Sequence, residues 1–217
     1  MRPLILAGLG PVGSLLPLGE VQHHALHVLR LRDGDRVKVS DGAGRQGEGQ
    51  MEGAGVRLLT LETVVAWAAE LVVGLPRTAL LEELVTLTTE AGVAVLHLVP
   101  VQRTPPGRVR EDRLLRLINA AATQCGRATL PEVVLHQALG ACLPALGPGR
   151  RVLGRPGATP LRGEPGPLVG AIGPEGGFDE EEENRLLDAG FEAVGLGPHT
   201  LRAPSAALAL LARAWGG

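Results

Sequence analysis

The chain has 217 residues, 45% of them hydrophobic, and a formal net charge of −2 at pH 7. That length buries a real core in one large domain or two smaller ones. The even charge gives no global nucleic-acid footprint, although a local basic patch would suffice for RNA.

Residues 1–65 read as β-rich. The opening MRPLILAGLGPVG has no small-residue cleavage site, and no apolar run in the chain is long enough to cross a bilayer, so a cytoplasmic protein with no membrane partner is expected. GLGPVG at 8–13, with Asp33 twenty positions after Gly13, matches a dinucleotide fingerprint. The pyrophosphate would need a helix N-terminus directly after the glycines. Here Pro17 and Gly19 would end a helix after one turn. A glycine-rich entry loop is the better reading, and it displaces a nucleotide-dependent oxidoreductase. A short helix is expected at roughly 20–30, in EVQHHALHVLR. His23 and His27 stand at i,i+4 but lack the acidic residue of an H-E-x-x-H zinc site, so packing or RNA contact is the expectation for them and for His24. Arg30, Arg32, Arg36 and Lys38, the sole lysine, form either a local basic patch or a solvated face. RVKVSDGAG (36–44) alternates and ends in Asp-Gly, and a second Asp-Gly lies at 33–34; both read as hairpin turns. Glycine recurs through 42–55, and VRLLTLETVV (56–65) reads as one strand, completing a small barrel-like domain.

The rhythm changes near 66–72 to strand, helix, strand. ELVVGLP is a strand, TALLEELVTLTTEAG has helical apolar spacing, and VAVLHLVPV is a buried strand. EDRLLRLINAAATQCG is amphipathic, with Leu114, Leu117, Ile118 and Ala121 on one stripe. Cys125 and Cys142 lack metal spacing and read as buried small hydrophobes rather than a disulfide. RVLG (151–154), PLVGAIG (167–173) and FEAVGLG (191–197) are further strands, the last two followed by helices. GPGRRVLGRPGATPLRGEPGP reads as loops around a strand rather than as disorder. The alternation predicts an α/β domain with a mostly parallel sheet covered on both faces. With only Phe178, Phe191, Trp67 and Trp215 as aromatics, a base-stacking platform is not expected.

Two glycine loops leave strand ends. In Gly173-Pro174-Glu175-Gly176-Gly177, Asp179 is a candidate N-cap with Glu182 completing a capping box. The following acids, Glu180 to Glu183, suit the helix dipole and take the place a phosphate would occupy. This loop is therefore expected to hold a neutral or cationic ligand through its backbone, or else to be an ordinary turn. In GLGPHTLRAPSAALALLARAW, Pro204 and Ser205 open an apolar helix, with Ser205 as candidate N-cap. Two such loops at carboxyl ends of parallel strands form a crevice where open sheets bind ligands, and the loop after RVLG would close it.

Five blocks in order resemble one family: HHALHVLRLRDGDRVKVSDGAG, TTEAGVAVLHLVPVQRT, AAATQCGRATLPEV, IGPEGGFDEEE and LGPHTLRAPSA. Together they resemble the 16S ribosomal RNA uridine N3-methyltransferases (RsmE) of the SPOUT superfamily, over nearly the whole chain. The resemblance implies a PUA-like RNA-binding barrel at 1–68 and a SPOUT methyltransferase domain at 69–217 with a C-terminal trefoil knot. It further implies S-adenosylmethionine as cofactor, 16S rRNA or the small ribosomal subunit as partner, and a homodimer; that chemistry requires no metal, and the His and Cys residues show no convincing metal set. By this match Leu153 and Gly154, then Ile172, Gly173, Pro174, Glu175, Gly176 and Gly177, then Leu196, Gly197, Thr200 and Leu201 surround the cofactor. Arg103 and Arg202 are the catalytic candidates, and Arg127 is an RNA or base contact or else a helix-terminal charge.

The sequence departs from the family pattern. The usual Arg-x-Glu-Thr-Ala is Arg202-Ala203-Pro204-Ser205-Ala206, the usual Arg-Ile is His199-Thr200, and Glu-Arg-Ser is Gln102-Arg103-Thr104. These departures raise the alternative of a catalytically weak or inactive RNA-binding protein on the same scaffold.

Overall fold

A computed structural model describes residues 3–65, 67–162 and 166–214. The loop expected at 163–165 and Trp215 lie outside the described residues. The chain divides into two compact units, residues 1–66 with 119–130, and residues 67–118 with 131–217.

The first unit is a six-stranded sheet that curls into a half-barrel. Its strands are β1 (Leu4–Ile5), β2 (Leu15–Pro17), β3 (Arg36–Ser40), β4 (Arg45–Glu52), β5 (Gly55–Leu58) and β6 (Glu62–Thr63). They run in the order β1-β3-β4-β5-β2, with β6 on β4. Only β1 and β3 pair in parallel. Leu4, Val37, Val39, Met51, Val56 and Leu58 fill the core. The alternation of β3 puts Val37 and Val39 inward and Arg36 and Lys38 outward.

Three local expectations change here. The helix near 20–30 is a 3₁₀ turn, Gly19–Val21, followed by a wide turn, His24–Val28, in which Leu29 N donates to His24 O, five residues back, at 2.9 Å. Asp41-Gly42 does turn β3 into β4, but Asp33-Gly34 only leads into β3. Gly34 N donates across to Met51 O, and Asp33 Oδ1 accepts from Gly53 N, so this turn is pinned to β4 and to the β4–β5 turn rather than joining two strands. The strand expected over 56–65 breaks after Leu58, because Leu59 N and Thr60 N both donate to Glu48 O. Two residues opposite one form a bulge, which bends the chain before β6. Residues 128–130 also join this unit. Ala128 O accepts from Gly44 N and from the buried Ser40 hydroxyl, and Leu130 N donates to Gly42 O.

The second unit is a parallel sheet of β7 (Ala69–Gly74), β8 (Val95–Val99), β9 (Glu132–Leu135), β10 (Arg150–Gly154), β11 (Leu168–Ile172) and β12 (Glu192–Val194). The order is β12-β10-β11-β7-β8-β9. The helices are α1 (Thr78–Glu90), α2 (Glu111–Cys125), of which residues 111–118 belong to this unit, α3 (Leu139–Cys142), α4 (Glu180–Asp188) and α5 (Ala203–Ala214). β11 is buried along its whole length, as a central parallel strand covered on both faces should be. Leu139, Cys142, Leu186 and Phe191 pack with Val72, Val99, Leu153 and Ala171 on one face. On the other face Gly170 lets Leu210 of α5 lie against the sheet beside Leu71. The sequence reading did not anticipate β9 or α3. Both are short and polar-flanked, with little periodicity to read. Ser205 is not an N-cap: α5 begins at Ala203, so Arg202 holds the cap position and Ser205 lies in the first turn.

Candidate functional site: a cleft at the carboxyl ends of the parallel strands

β7 is flanked by β8 on one side and β11 on the other, and the chain returns through β10 and β11 after building β8 and β9. Such a reversal leaves a crevice beyond the strand ends. A cleft of about 450 Å³ lies there, within the range of small-molecule sites. Its walls come from three loops. Gly154 ends β10 and Arg155 and Pro156 follow it; Ile172 ends β11 and Gly173 to Phe178 follow it; Leu196, Gly197 and His199 to Arg202 follow β12. Arg103 enters from the loop after β8, and Glu183 from α4.

The loop after β11 is tight. A Cβ on Gly173 would lie 2.9 Å from the Gly177 backbone, and Gly177 has a φ of +72°, so the turn depends on glycine at both positions. Asp179 caps α4 as expected. Its Oδ1 accepts from Glu182 N at 2.8 Å, and Glu182 Oε2 accepts from Asp179 N at 2.9 Å. Glu182 Oε1 also accepts from Gln102 N at 2.7 Å, which ties the loop after β8 to the start of α4. Arg103 Nη1 donates to Gly176 O at 2.7 Å and Phe178 O at 3.1 Å, and its stem lies along Gly176.

Each arginine of the lining is engaged within the protein. Arg202 makes a two-pronged contact with Glu83 of α1, both distances 3.2 Å. Arg155 pairs with Glu183 at 3.6 Å. At the rim, Glu175 pairs with Arg77 at 3.2 Å. At the start of α4 the Asp179 carboxylate takes the Glu182 amide, and Glu183 N donates to Asp179 O. The cleft is therefore a poor phosphate cradle and a suitable one for a neutral or cationic group. Along the third wall the backbone is unspent. Among the described residues, no hydrogen bond within the protein is formed by residues 196–201. Buried or ligand-facing backbone groups seek partners, and this stretch offers both donors and acceptors. A Cβ on Gly197 would meet nothing within 4 Å, so this glycine borders open space.

Of the cofactor candidates, Gly154, Ile172, Gly173, Pro174, Glu175, Gly176, Gly177, Leu196, Gly197, Thr200 and Leu201 line the cleft, as do Arg103 and Arg202. Leu153 is 1% exposed and sits in the sheet core, because it is one residue short of the strand end. The sequence reading did not single out Glu83 or Arg155, and it took Glu183 only as a helix-dipole acid and Phe178 only as one of few aromatics. Arg155 directly follows RVLG, which was the available signal for it; Glu83 sits on a distant helix and gave none. In the first unit, Arg30, Arg32, Arg36 and Lys38 are exposed, and Arg36 pairs with Glu48 at 3.6 Å. Arg127 is half-buried, donates from Nε to Thr129 Oγ1 at 3.1 Å, and has its pKa lowered by burial.

A parallel sheet with a glycine-walled cleft at its strand ends defines an α/β small-molecule-binding protein. The comparisons narrow the class to RNA methyltransferases. A model described as "RNA methyltransferase domain" matches residues 66–215, and one described as "RNA methyltransferase PUA domain" matches residues 18–64. Ribosomal RNA small subunit methyltransferase E of Synechocystis sp. is 30% identical over 210 residues, 88% of this chain and 69% of that one. The protein of the same name from Mycobacterium bovis is 30% identical over 217 residues, 89% of this chain and 82% of that one. The crystal structure of ribosomal RNA small subunit methyltransferase E from Neisseria gonorrhoeae, bound to S-adenosyl methionine, superposes with a TM-score of 0.86 at 25% identity, covering 98% of this chain and 95% of that one. The chain belongs to the ribosomal RNA small subunit methyltransferase E family.

Proposed function

We propose that this chain transfers a methyl group from S-adenosylmethionine to N3 of a uridine in small-subunit (16S) ribosomal RNA. The cleft carries this reading. Arg155 and Arg202 are already ion-paired, the third wall presents unspent backbone, and the volume suits the cofactor. The Neisseria gonorrhoeae relative, alike over 98% of this chain, has S-adenosyl methionine bound.

When bound, the cofactor supplies an electrophilic methyl on a sulfonium, and it leaves as S-adenosylhomocysteine once the methyl is on N3. The residues of the chain do the rest. The backbone of 196–201 and the Gly173–Gly177 loop hold the adenosyl part. Glu175 and Glu183 keep the cleft compatible with a positive sulfonium. Arg103 faces the target base. Among the described residues its Nη1 alone is bonded, which leaves Nε and Nη2 to stabilise the negative charge that develops on the uridine carbonyls as N3 loses its proton to solvent. Arg202, held by Glu83, fixes the mouth of the α5 loop, and positioning supplies a further share of the acceleration.

Residues 1–68 act as the RNA-binding domain and residues 69–217 as the methyltransferase domain, with Arg30, Arg32, Arg36 and Lys38 of the first and Arg127 of the second on phosphates. A trefoil knot in that domain is supported by the loop after β10 gripping the chain beyond β12. Gly195 N donates to Thr159 O at 2.7 Å, and Leu161 N donates to Gly195 O at 2.9 Å. The family resemblance supports a homodimer working in the cytoplasm. No helix among the described residues is long and apolar enough to cross a membrane. The inactive alternative rests on Pro204, which stands where the family carries glutamate. Against it, Glu83 presents a carboxylate to Arg202 from another helix. Labelled methyl transfer to small-subunit RNA, and to small subunits at successive assembly states, tests the function. Cofactor binding without incorporation into any of them would favour the inactive reading, and absence of cofactor binding would remove the assignment of the cleft.

A further inference from the structure

The sequence shows no metal-ligand spacing, yet the fold gathers His97, His136, Cys142 and Glu70 in the second unit, none of them in the lining of the cleft. His97 is at the centre of β8 and 3% exposed, His136 follows β9, Cys142 ends α3 and is fully buried, and Glu70 is on β7. Glu70 Oε2 accepts from His97 Nε2 at 3.2 Å and from Gly147 N at 3.0 Å. A carboxylate oxygen accepts, so Nε2 of His97 carries the proton and the lone pair is on Nδ1. That lone pair faces His136 Nε2 at 2.9 Å. The Cys142 sulfur, the His97 ring and the His136 ring each offer a ligand atom, and these three atoms lie within 4.8 Å of one another.

We propose that His97 Nδ1, His136 Nε2 and Cys142 Sγ bind one zinc-class divalent cation, with Glu70 as the group that orients His97. The carboxylate–histidine–metal relay is the usual way a ligating imidazole is held in one tautomer, and here it is built before any ion enters. Two imidazoles with a thiolate select a thiophilic, borderline-soft ion over calcium or magnesium. Tetrahedral coordination at ordinary Zn–N and Zn–S lengths sets the ligand atoms about 3.3–3.6 Å apart. The two nitrogens must open by about 0.4 Å and the sulfur must swing inward, changes within reach of side-chain rotation. On binding, Cys142 releases its thiol proton to solvent, and the His136 proton moves from Nε2 to Nδ1. Three protein ligands leave a fourth position for water, reached from the half-buried His136 side. The ion would fasten the edge strand β9 to β8 and α3, so it acts as a staple rather than in methyl transfer.

Cobalt titration of the EDTA-stripped full-length protein tests the site, since Co²⁺ reports thiolate ligation by a near-ultraviolet charge-transfer band. One equivalent per chain with that band is expected, and Zn²⁺ should displace it. Zn²⁺ at a hundredfold excess over its Kd should raise Tm by about 5 °C. C142S should abolish the band, and Glu70→Gln should weaken affinity about tenfold or more. His23 and His27, whose ring centres lie 4.8 Å apart, and the exposed Cys125 are the competing sites. The His23→Ala/His27→Ala variant and C125S should therefore keep the band. No thiolate band in the unmodified protein, a band that survives C142S, or a band lost in C125S overturns the proposal. If C142S does not fold, the unmodified protein and C125S decide alone.

Discussion

Gly197→Val separates the ligand site from the fold. The added Cβ meets no atom within 4 Å, and Gly197 lines the cleft, so the valine projects into space that a ligand would use. Its backbone is outside the left-handed region, so no strain accompanies the change. A substitution into open space alters stability by about 0.5 kcal/mol or less, which for a chain of this size is about 2 °C or less in Tm. In the complex the same methyl groups overpack the site, at a cost of about 1–3 kcal/mol. At about 1.4 kcal/mol per tenfold, Kd for S-adenosylmethionine or S-adenosylhomocysteine should rise about 5- to 150-fold. Calorimetric titration and a thermal melt on the same preparation read both quantities. Unchanged affinity would remove the third wall from the binding site, and a Tm lowered by several degrees would mean that the space is not free. Gly177→Val is a less clean probe, because its φ of +72° strains any side chain regardless of ligand.

Arg103→Met should lower kcat about a hundredfold, as expected when one donor to a developing anion is removed. A variant that weakens only cofactor affinity, with kcat intact, would reduce Arg103 to a clamp on Gly176 O and Phe178 O. Glu182→Ala removes acceptors from Asp179 N and Gln102 N, and should cost about 1–2 kcal/mol, read as a Tm about 4 °C lower; an unchanged Tm would show that the capping box carries no weight. In metal-free protein, iodoacetamide should modify the exposed Cys125 well before Cys142, which is buried and whose pKa is pushed up to about 12 by burial and then by Glu70; equal rates, measured by mass spectrometry, would contradict that burial.

Strands with a strong period were legible. β11 is a continuous apolar run, and β7 and β8 are apolar but for Glu70 and His97, as buried parallel strands largely have to be. The capping box was legible because it is local: Asp179 and Glu182 are three residues apart and satisfy each other. What was hidden depends on distance. The break in the 56–65 strand is set by Glu48 on the opposite strand. The match of 128–130 with 40–44 joins residues 88 apart, and Ser40 alone gives no hint of it. The cleft was half legible. Glycine loops after strands announce a crevice, but Glu83 reaches Arg202 across 119 positions, which no local pattern encodes.

The acidic start of α4 also explains how a glycine-rich strand-to-helix turn avoids being an anion site. A helix N-terminus attracts phosphate because its first amides lack partners and its dipole is positive. Here Asp179 takes the Glu182 amide, Glu182 takes those of Asp179 and Gln102, and four consecutive glutamates offset the dipole. Arg103 then occupies the carbonyls of Gly176 and Phe178. The carbonyls of Pro174, Gly176 and Phe178 are thus taken within the protein, and the loop after β11 acts mainly as a shaped wall. The stretch 196–201, with its backbone groups unused, is left to supply the directional contacts. A substitution that bars a ligand from the 196–201 backbone, as Gly197→Val does by filling the space beside it, should therefore cost binding enthalpy as well as affinity, read in the same calorimetric titration.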